Sequence, residues 1–473
     1  ITAPRLAIAE PVFFHAQRIA SQAEVNRNQI NWNDSWLKFM APDALINEQP
    51  VAEVLLVDEA AAIPVSLLEK LLEIYSTVVF ATTVHGYEGT GRGFSLKFNK
   101  ILDRHKPGWQ QLYMTTPVRW SEGDPLEQWV DRVLCLDADI CDLHEIETIK
   151  PEKCEIKLLN RDTLINDEAK LSSLFALLVY AHYRTQPSDF RYLLDSPDVR
   201  VYSLEYNQSI IAVALINQEG GFDVDLSTEI YKGSRRPKGN LLAQTLTFHA
   251  GCEIAATFNY ARIMRIAVHP EIQLRGLGTY FLGRVIEHEQ DKVDAIGVSF
   301  GATVELIRFW KKSGFEIVRM GFTRDHVSAT HSSVMLKPVT KNGEKVFNNV
   351  RDKFQRYLPA WLVEPLSGCS SEIKDLLNDE IINDDGKLSE DDWKEINSFI
   401  KTNRGYETCM WPIIKLVNNY RYKLSNLDEI SQNVIQTKIL NAMNWKETVK
   451  ICHLSGKTEG VMKLRNAIER MMD

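Results

Sequence analysis

Along the first 137 residues, short apolar runs alternate with stretches whose apolar residues recur at helical spacing, the rhythm of an α/β fold with a parallel sheet. Val54-Leu55-Leu56-Val57 is a continuous apolar run and reads as a buried strand. Val65 to Ile74 reads as an amphipathic helix and Val78 to Thr82 as the next strand, so together they predict a strand–helix–strand unit. From about Ile156 to Pro338 the rhythm is that of an α+β domain. It predicts a helix, antiparallel strands at Val201 to Leu204 and Ile210 to Ile216, a helix over Leu241 to Phe258, then strand, helix, strand and helix. Beyond Lys341 the periodicity is mostly helical with acidic loops, ending in a charged helix from Lys457 to Met472. These changes of rhythm suggest segments 1–145, 146–340 and 341–473, with no internal repeat.

Composition changes this picture little. A chain of 473 residues is too long for one core, and about three units are expected. Hydrophobic residues at 44% and charged residues at 25% exclude a disordered or fibrous chain. The seven cysteines form no CxxC pair or zinc spacing and read as reduced thiols, which points to the cytoplasm. No apolar stretch approaches membrane-spanning length and the N-terminus lacks signal-peptide character, so no membrane partner is expected. A net charge of −8 argues against nonspecific coating of nucleic acid but permits a local basic groove. The chain opens at Ile1 without a methionine, as a piece of a longer protein would.

Arg262 to Val268 alternates as a strand does, and His269-Pro270 and Gln273-Leu274-Arg275-Gly276-Leu277-Gly278-Thr279 come directly after it. Glycines at 276 and 278 let backbone approach a ligand, and N–H groups at the start of the next helix, Thr279 to Glu289, can face a pyrophosphate. Arg275 can add a charged contact. A second strand, Ala295 to Phe300, leads to a helix that Thr303 can cap. Val304, Ile307 and Trp310 form its apolar stripe and Gly314 ends it before Phe315 opens another strand. Taken alone the glycine pair is also what a tight strand-to-helix turn needs. With its sequel, the segment resembles the coenzyme A half of the GNAT superfamily.

Val54 to Pro64 (VLLVDEAAAIP) runs a buried strand into Asp58-Glu59, the arrangement of a Walker B motif, in which the aspartate holds Mg²⁺ and the glutamate orients a water. Gly86 to Gly93 lies beyond the next strand and reads as a loop facing nucleotide or nucleic acid, although a flexible surface loop has the same composition. No G-x-x-x-x-G-K-[ST] precedes Asp58. Ser455 to Thr458 imitates only its end and reads as a helix-capping turn.

The two signatures in this order resemble the tRNA(Met) cytidine acetyltransferase family, which joins a P-loop, RecA-like helicase-type module to a GNAT domain. The likeness is carried by LLVDEAAAIP, GYEGTGRGF, Pro117-Val118-Arg119-Trp120, Ala181-His182-Tyr183-Arg184, Arg235 to Asn240 (RRPKGN), RIAVHP and VSFG. The resemblance implies a multidomain α/β chain: a helicase-like ATPase segment, a GNAT domain and a mostly helical C-terminal segment that could bind tRNA. It also implies acetyl-coenzyme A contacts at Ile266, Ala267, Val268, Gln273, Leu274, Arg275, Gly276, Leu277, Gly278, Thr279, Glu305 and Lys312. ATP or GTP would be bound with Mg²⁺ at Asp58, Glu59 and Arg119, with Asp58 meeting the metal through the nucleotide.

The implied reaction acetylates N4 of the wobble cytidine in elongator methionine tRNA. His182 and Tyr183 are the candidates for proton transfer, against a reading as a buried core pair. Arg235, Arg236 and Lys238 are candidates for RNA contact, against a solvated loop. Two alternatives stand beside this reading: acetylation of a protein or small-molecule amine, and a remodelling protein that binds coenzyme A without transfer. In the tail, Asn383 to Gly386 is similar to a calcium loop, but Ile381 and Asp392 stand at ligand positions, and Ser389 with Asp392 reads as a capping box.

Overall fold

The computed structural model describes residues 1–83, 91–136, 138–144, 146–181, 187–325 and 330–472, the side chains of 91–97 and 181 excepted. The chain forms two compact units. The first takes Ile1–Leu215 and Arg265–Phe281; the second takes Ile216–Met264, Leu282–Asp325 and Thr330–Asp473.

In the first unit, β1 (Glu24–Asn26), β2 (Gln29–Trp32) and β3 (Ser35–Lys38) form an antiparallel meander. β4 (Leu55–Val57) and β5 (Val78–Phe80) pair in parallel, Leu55 opposite Val78 and Val57 opposite Phe80. The helix Val65–Ile74 joins them and buries Leu68, Leu71 and Leu72 on the strands' core, as its spacing predicts. Among the described residues this parallel pair is extended by a bridge between Thr2 and Val57. Val54 and Thr82 lie outside the strands. The glycine run, read as a loop through Gly93, turns helical at Gly91, where the helix Gly91–His105 begins and carries Phe98 and Leu102 into the same core. Residues 84–90 lie outside the described residues. β6 (Glu155–Leu159) pairs antiparallel with β7 (Val199–Tyr206).

β8 (Ser209–Gly220) begins in the first unit and ends in the second, and β9 (Asn259–Val268) runs back the other way. In the second unit, β10 (Ala295–Gly301) has β9 in parallel on one side, Ala295 opposite Tyr260, and β12 (His331–Pro338) antiparallel on the other. β11 (Glu316–Arg324) pairs with β12. The helix Lys341–Val363 comes next, capped by Thr340, and it needs Gly343 because a Cβ there would stand 1.9 Å from the Asp294 carbonyl oxygen. The remaining described chain is mostly helical, as its periodicity predicts, including Lys457–Met472, and Ser389 and Asp392 form the expected capping box.

The helix expected over Leu241 to Phe258 is not continuous. Leu241–Gln244 is α-helical, Thr245–His249 widens into a π-turn, and Gly251 stops the helix at φ +74. The cause is tertiary. Lys353 Nζ donates to the Gly251 carbonyl at 2.6 Å and to Glu395 at 2.8 Å, and Arg404, wholly buried, donates to Glu395 at 2.5 Å. A Cβ on residue 251 would stand 2.6 Å from Glu395 Oε1 and 2.8 Å from Arg404 Nη2. Burial acts to raise the Glu395 carboxyl, but the Arg404 and Lys353 charges outweigh it and hold the group below its usual range.

Candidate functional site

β9 ends at Val268, and His269 anchors the turn beyond it. The ring is buried, its Nε2 lies 2.9 Å from the Cys141 carbonyl, and its Nδ1 accepts from the Glu271 N–H at 3.4 Å. A carbonyl can only accept, so the proton resides on Nε2. Burial lowers the imidazole's pKa, which keeps that neutral tautomer. Gln273 closes the turn by donating from Nε2 to the Val268 carbonyl at 3.0 Å.

Leu274 adopts φ +62 and Gly276 φ +82, so the chain reverses through two left-handed residues before the helix Leu277–Glu289. Leu274 is fully exposed at the tip. The helix's first hydrogen bond runs from the Tyr280 N–H to the Gly276 carbonyl at 3.0 Å, so the N–H groups of Leu277, Gly278 and Thr279 have no partner inside the helix. They and the helix dipole form a concave donor set suited to an anion. A Cβ on residue 276 would meet nothing within 4 Å, so its glycine answers to the positive φ and not to crowding within the chain.

Arg275 turns to the protein, donating to the Ile146 carbonyl at 2.8 Å and pairing with Glu147 at 3.1 Å, and so braces the turn. Ile266 and Val268 are half-buried and Ala267 is buried on β9. In the second unit, Thr303 accepts from the Leu306 N–H and caps the helix Val304–Lys312, with exposed Glu305 in its first turn and exposed Lys312 at its end.

At the other candidate site, Asp58 and Glu59 lie just past β4 at the carboxyl edge of the parallel pair. Asp58 Oδ1 accepts from the Glu59 N–H at 2.9 Å, and Glu59 is left-handed at φ +48. The Ala60 N–H bonds to the Ala81 carbonyl at 3.0 Å and the Ala61 N–H to Thr82 Oγ1 at 3.3 Å. Arg119 is exposed. Among the described residues no three His, Cys, Asp or Glu side chains could hold a metal together, so Mg²⁺ at Asp58 would need phosphate oxygens to complete its shell.

Arg235, Arg236 and Lys238 are exposed between the helix Val224–Lys232 and Asn240, and the Arg236 guanidinium lies 5.2 Å from the Phe248 ring centroid. Asn240 does not cap the next helix; its side chain accepts from the Gly220 N–H at 2.8 Å. His182 and Tyr183 lie outside the described residues. Two features escape sequence reading: the left-handed Leu274 and Glu59, whose residue types carry no signal for positive φ.

Residues 1–137 match the family model described as RNA cytidine acetyltransferase NAT10/TcmA, helicase domain, and residues 173–292 and 280–340 match GNAT acetyltransferase 2. The tRNA(Met) cytidine acetyltransferase TmcA of Nitrosococcus halophilus is 41% identical over 477 aligned positions, which cover 100% of this chain and 64% of that protein. TmcA of Vibrio cholerae is 33% identical, covering 99% and 64%, and TmcA of Haloarcula marismortui is 33% identical, covering 100% and 62%. The chain spans somewhat less than two thirds of these relatives. Among the described residues no helix is long and apolar enough to cross a membrane.

Proposed function

We propose that the chain belongs to the tRNA(Met) cytidine acetyltransferase family and that it transfers acetyl from acetyl-coenzyme A to N4 of the wobble cytidine of elongator methionine tRNA, with ATP or GTP hydrolysed at the helicase-like segment. The observation that carries this reading is the turn from Gln273 to Thr279. Its left-handed glycine and three unpartnered N–H groups fit a pyrophosphate, and Ile266 to Val268 offer a strand edge beside it. Glu305 and Lys312 are assigned as further coenzyme contacts. The segments are 1–145 for the ATPase-like part, 146–340 for the acetyltransferase and 341–473 for the helical part.

Acetyl-coenzyme A supplies a thioester carbonyl. The cytosine amine is a poor nucleophile because its lone pair is delocalised into the ring, so the chain must position it closely and take up its proton as the C–N bond forms and the C–S bond breaks. His182 and Tyr183 carry the proton transfer, which takes the proton from the amine and leaves coenzyme A to depart as the thiolate or, once protonated, the thiol. Asp58 and Glu59, with Arg119, serve the nucleotide and its Mg²⁺. Arg235, Arg236 and Lys238 meet the RNA.

Mass spectrometry of nucleosides, from tRNA incubated with the full-length protein, acetyl-coenzyme A and ATP, tests the proposal. N4-acetylcytidine is expected only when every component is present. Acetylation of a protein or small amine with no modified cytidine would instead favour the broader GNAT reading.

A further inference from the structure

Arg319 on β11 carries a charge that the chain itself does not answer. Its Nε is shut off from water without a hydrogen-bond partner, and among the described residues no carboxylate pairs with the guanidinium. Burial pulls its pKa down to about 10. The guanidinium carbon lies 5.5 Å from the centroid of the Phe322 ring. A donor held this way costs stability unless something outside the chain completes it.

Arg319 shares a cleft with His249, Lys353, Tyr357, Trp361 and Thr408. Lys353 is already committed to Gly251 and Glu395, which leaves Arg319 as the cation with unspent donors. Burial, and then the charges of Arg319, Arg236 and Arg404, push the His249 imidazole down to about 3, so the ring beside Arg319 is neutral. His249 meets Phe248 edge to face at 4.8 Å, and Arg236 lies over Phe248. From the exposed loop inward the order is therefore guanidinium, phenyl ring, imidazole, guanidinium. Alternation of cations with rings suits a chain of phosphates and bases.

The size of the cleft narrows the ligand. Its free interior is only about 10 Å³, room for roughly one oxygen atom and not for a metabolite. A free phosphate would need its other oxygens enclosed as well. A phosphodiester can leave them outside.

We propose that Arg319 is the inner phosphate receptor of an RNA-binding track that enters over Arg236 and Phe248, one non-bridging phosphate oxygen reaching into the cleft to accept from the guanidinium. This rests on the reading that the chain acts on RNA, and it extends that contact from the exposed arginine loop to a half-buried group on the sheet.

The test compares Arg319→Met, Arg319→Lys and Arg236→Ala with wild type in the 473-residue chain. Arg319→Met should melt at the same temperature or higher, because it removes an unanswered charge; a structural arginine would lose stability instead. Its tRNA affinity should fall several-fold, and the plot of log affinity against log salt should flatten by about 0.7, the value for one single-strand phosphate. Arg319→Lys should keep the salt slope and recover part of the affinity. Arg236→Ala, at an exposed position, should weaken tRNA binding with the fold intact, and acetyl-coenzyme A affinity by calorimetry should stay unchanged in all three. Equal tRNA affinity and slope for wild type and Arg319→Met would overturn the assignment and leave the acetyltransferase reading standing. Inorganic phosphate that raises the melting temperature of wild type but not of Arg319→Met, with tRNA binding unchanged, would make this a free-anion site and overturn it too. If wild type bound no tRNA, both readings would fall.

Discussion

The turns after β4 and after β9 use the same backbone device and reach different ends. Each leaves its strand through a left-handed residue, Glu59 at φ +48 in one and Leu274 and Gly276 at φ +62 and φ +82 in the other. After β9 a helix of 13 residues begins, with three N–H groups unpaired within it. After β4 the chain makes a 3₁₀ turn of three residues, Ala60–Ala62, whose N–H groups are taken by Ala81, Thr82 and Glu59. The first turn can hold an anion with backbone alone. The second offers only side chains, so it can orient a metal or a water but cannot cradle phosphates.

Four measurements break or sharpen that contrast. The largest effect should separate holding from chemistry: His182→Ala should leave acetyl-coenzyme A and tRNA bound, yet slow single-turnover transfer by about 10²–10⁴-fold if the histidine is the base. A normal rate would pass the role to Tyr183 or to water. Next, Gly276→Val forces a β-branched residue to positive φ at a cost of about 1–3 kcal/mol, so calorimetry should find acetyl-coenzyme A held roughly 5- to 150-fold more weakly. Wild-type affinity would mean the turn is not the grip. At the other turn, Glu59→Gly relieves a left-handed side chain but loosens the unfolded chain. Urea unfolding should show a gain of about 0.5–1 kcal/mol, with coenzyme affinity untouched. The smallest effect is a null one. Because no G-x-x-x-x-G-K-[ST] loop lies in the 473 residues, ATP hydrolysis by this chain alone should sit near background, turnover requiring a phosphate-cradling loop supplied from outside these residues, and Glu59→Gln should not lower the background further; robust turnover by the 473 residues alone would refute the reading of that turn.

Legibility in the sequence divides along physical lines. Val65–Ile74 and Lys457–Met472 match their expected bounds to the residue, because an apolar stripe defines them without outside help. The strand, turn and helix around Gly276 are legible for the same reason, since a glycine that must reverse the chain and the helix after it are neighbours in sequence. The meander β1 to β3 leaves little signal because its strands are short and largely exposed, with Trp32 and Trp36 about half open to solvent. The helix expected through Phe258 fails at Gly251, where residues about 100 to 150 positions away decide the backbone. The unanswered charge of Arg319 is equally invisible, for a missing partner leaves no mark on a sequence. The fit of His182 and Tyr183 to their assigned roles falls outside the described residues.

The knot of Gly251, Lys353, Glu395 and Arg404 has a bearing on how the protein is made. A ribosome adding 5–20 residues per second delivers Arg404 roughly 8–30 s after Gly251. During that interval the His249–Gly251 corner lacks the carboxylate that binds its two cations together, and the nascent chain has to wait with a half-finished seam. Chains released before residue 404 should therefore be good clients for chaperones, and rare codons between 353 and 404 should lengthen that vulnerable stage more than the same codons placed near the terminus.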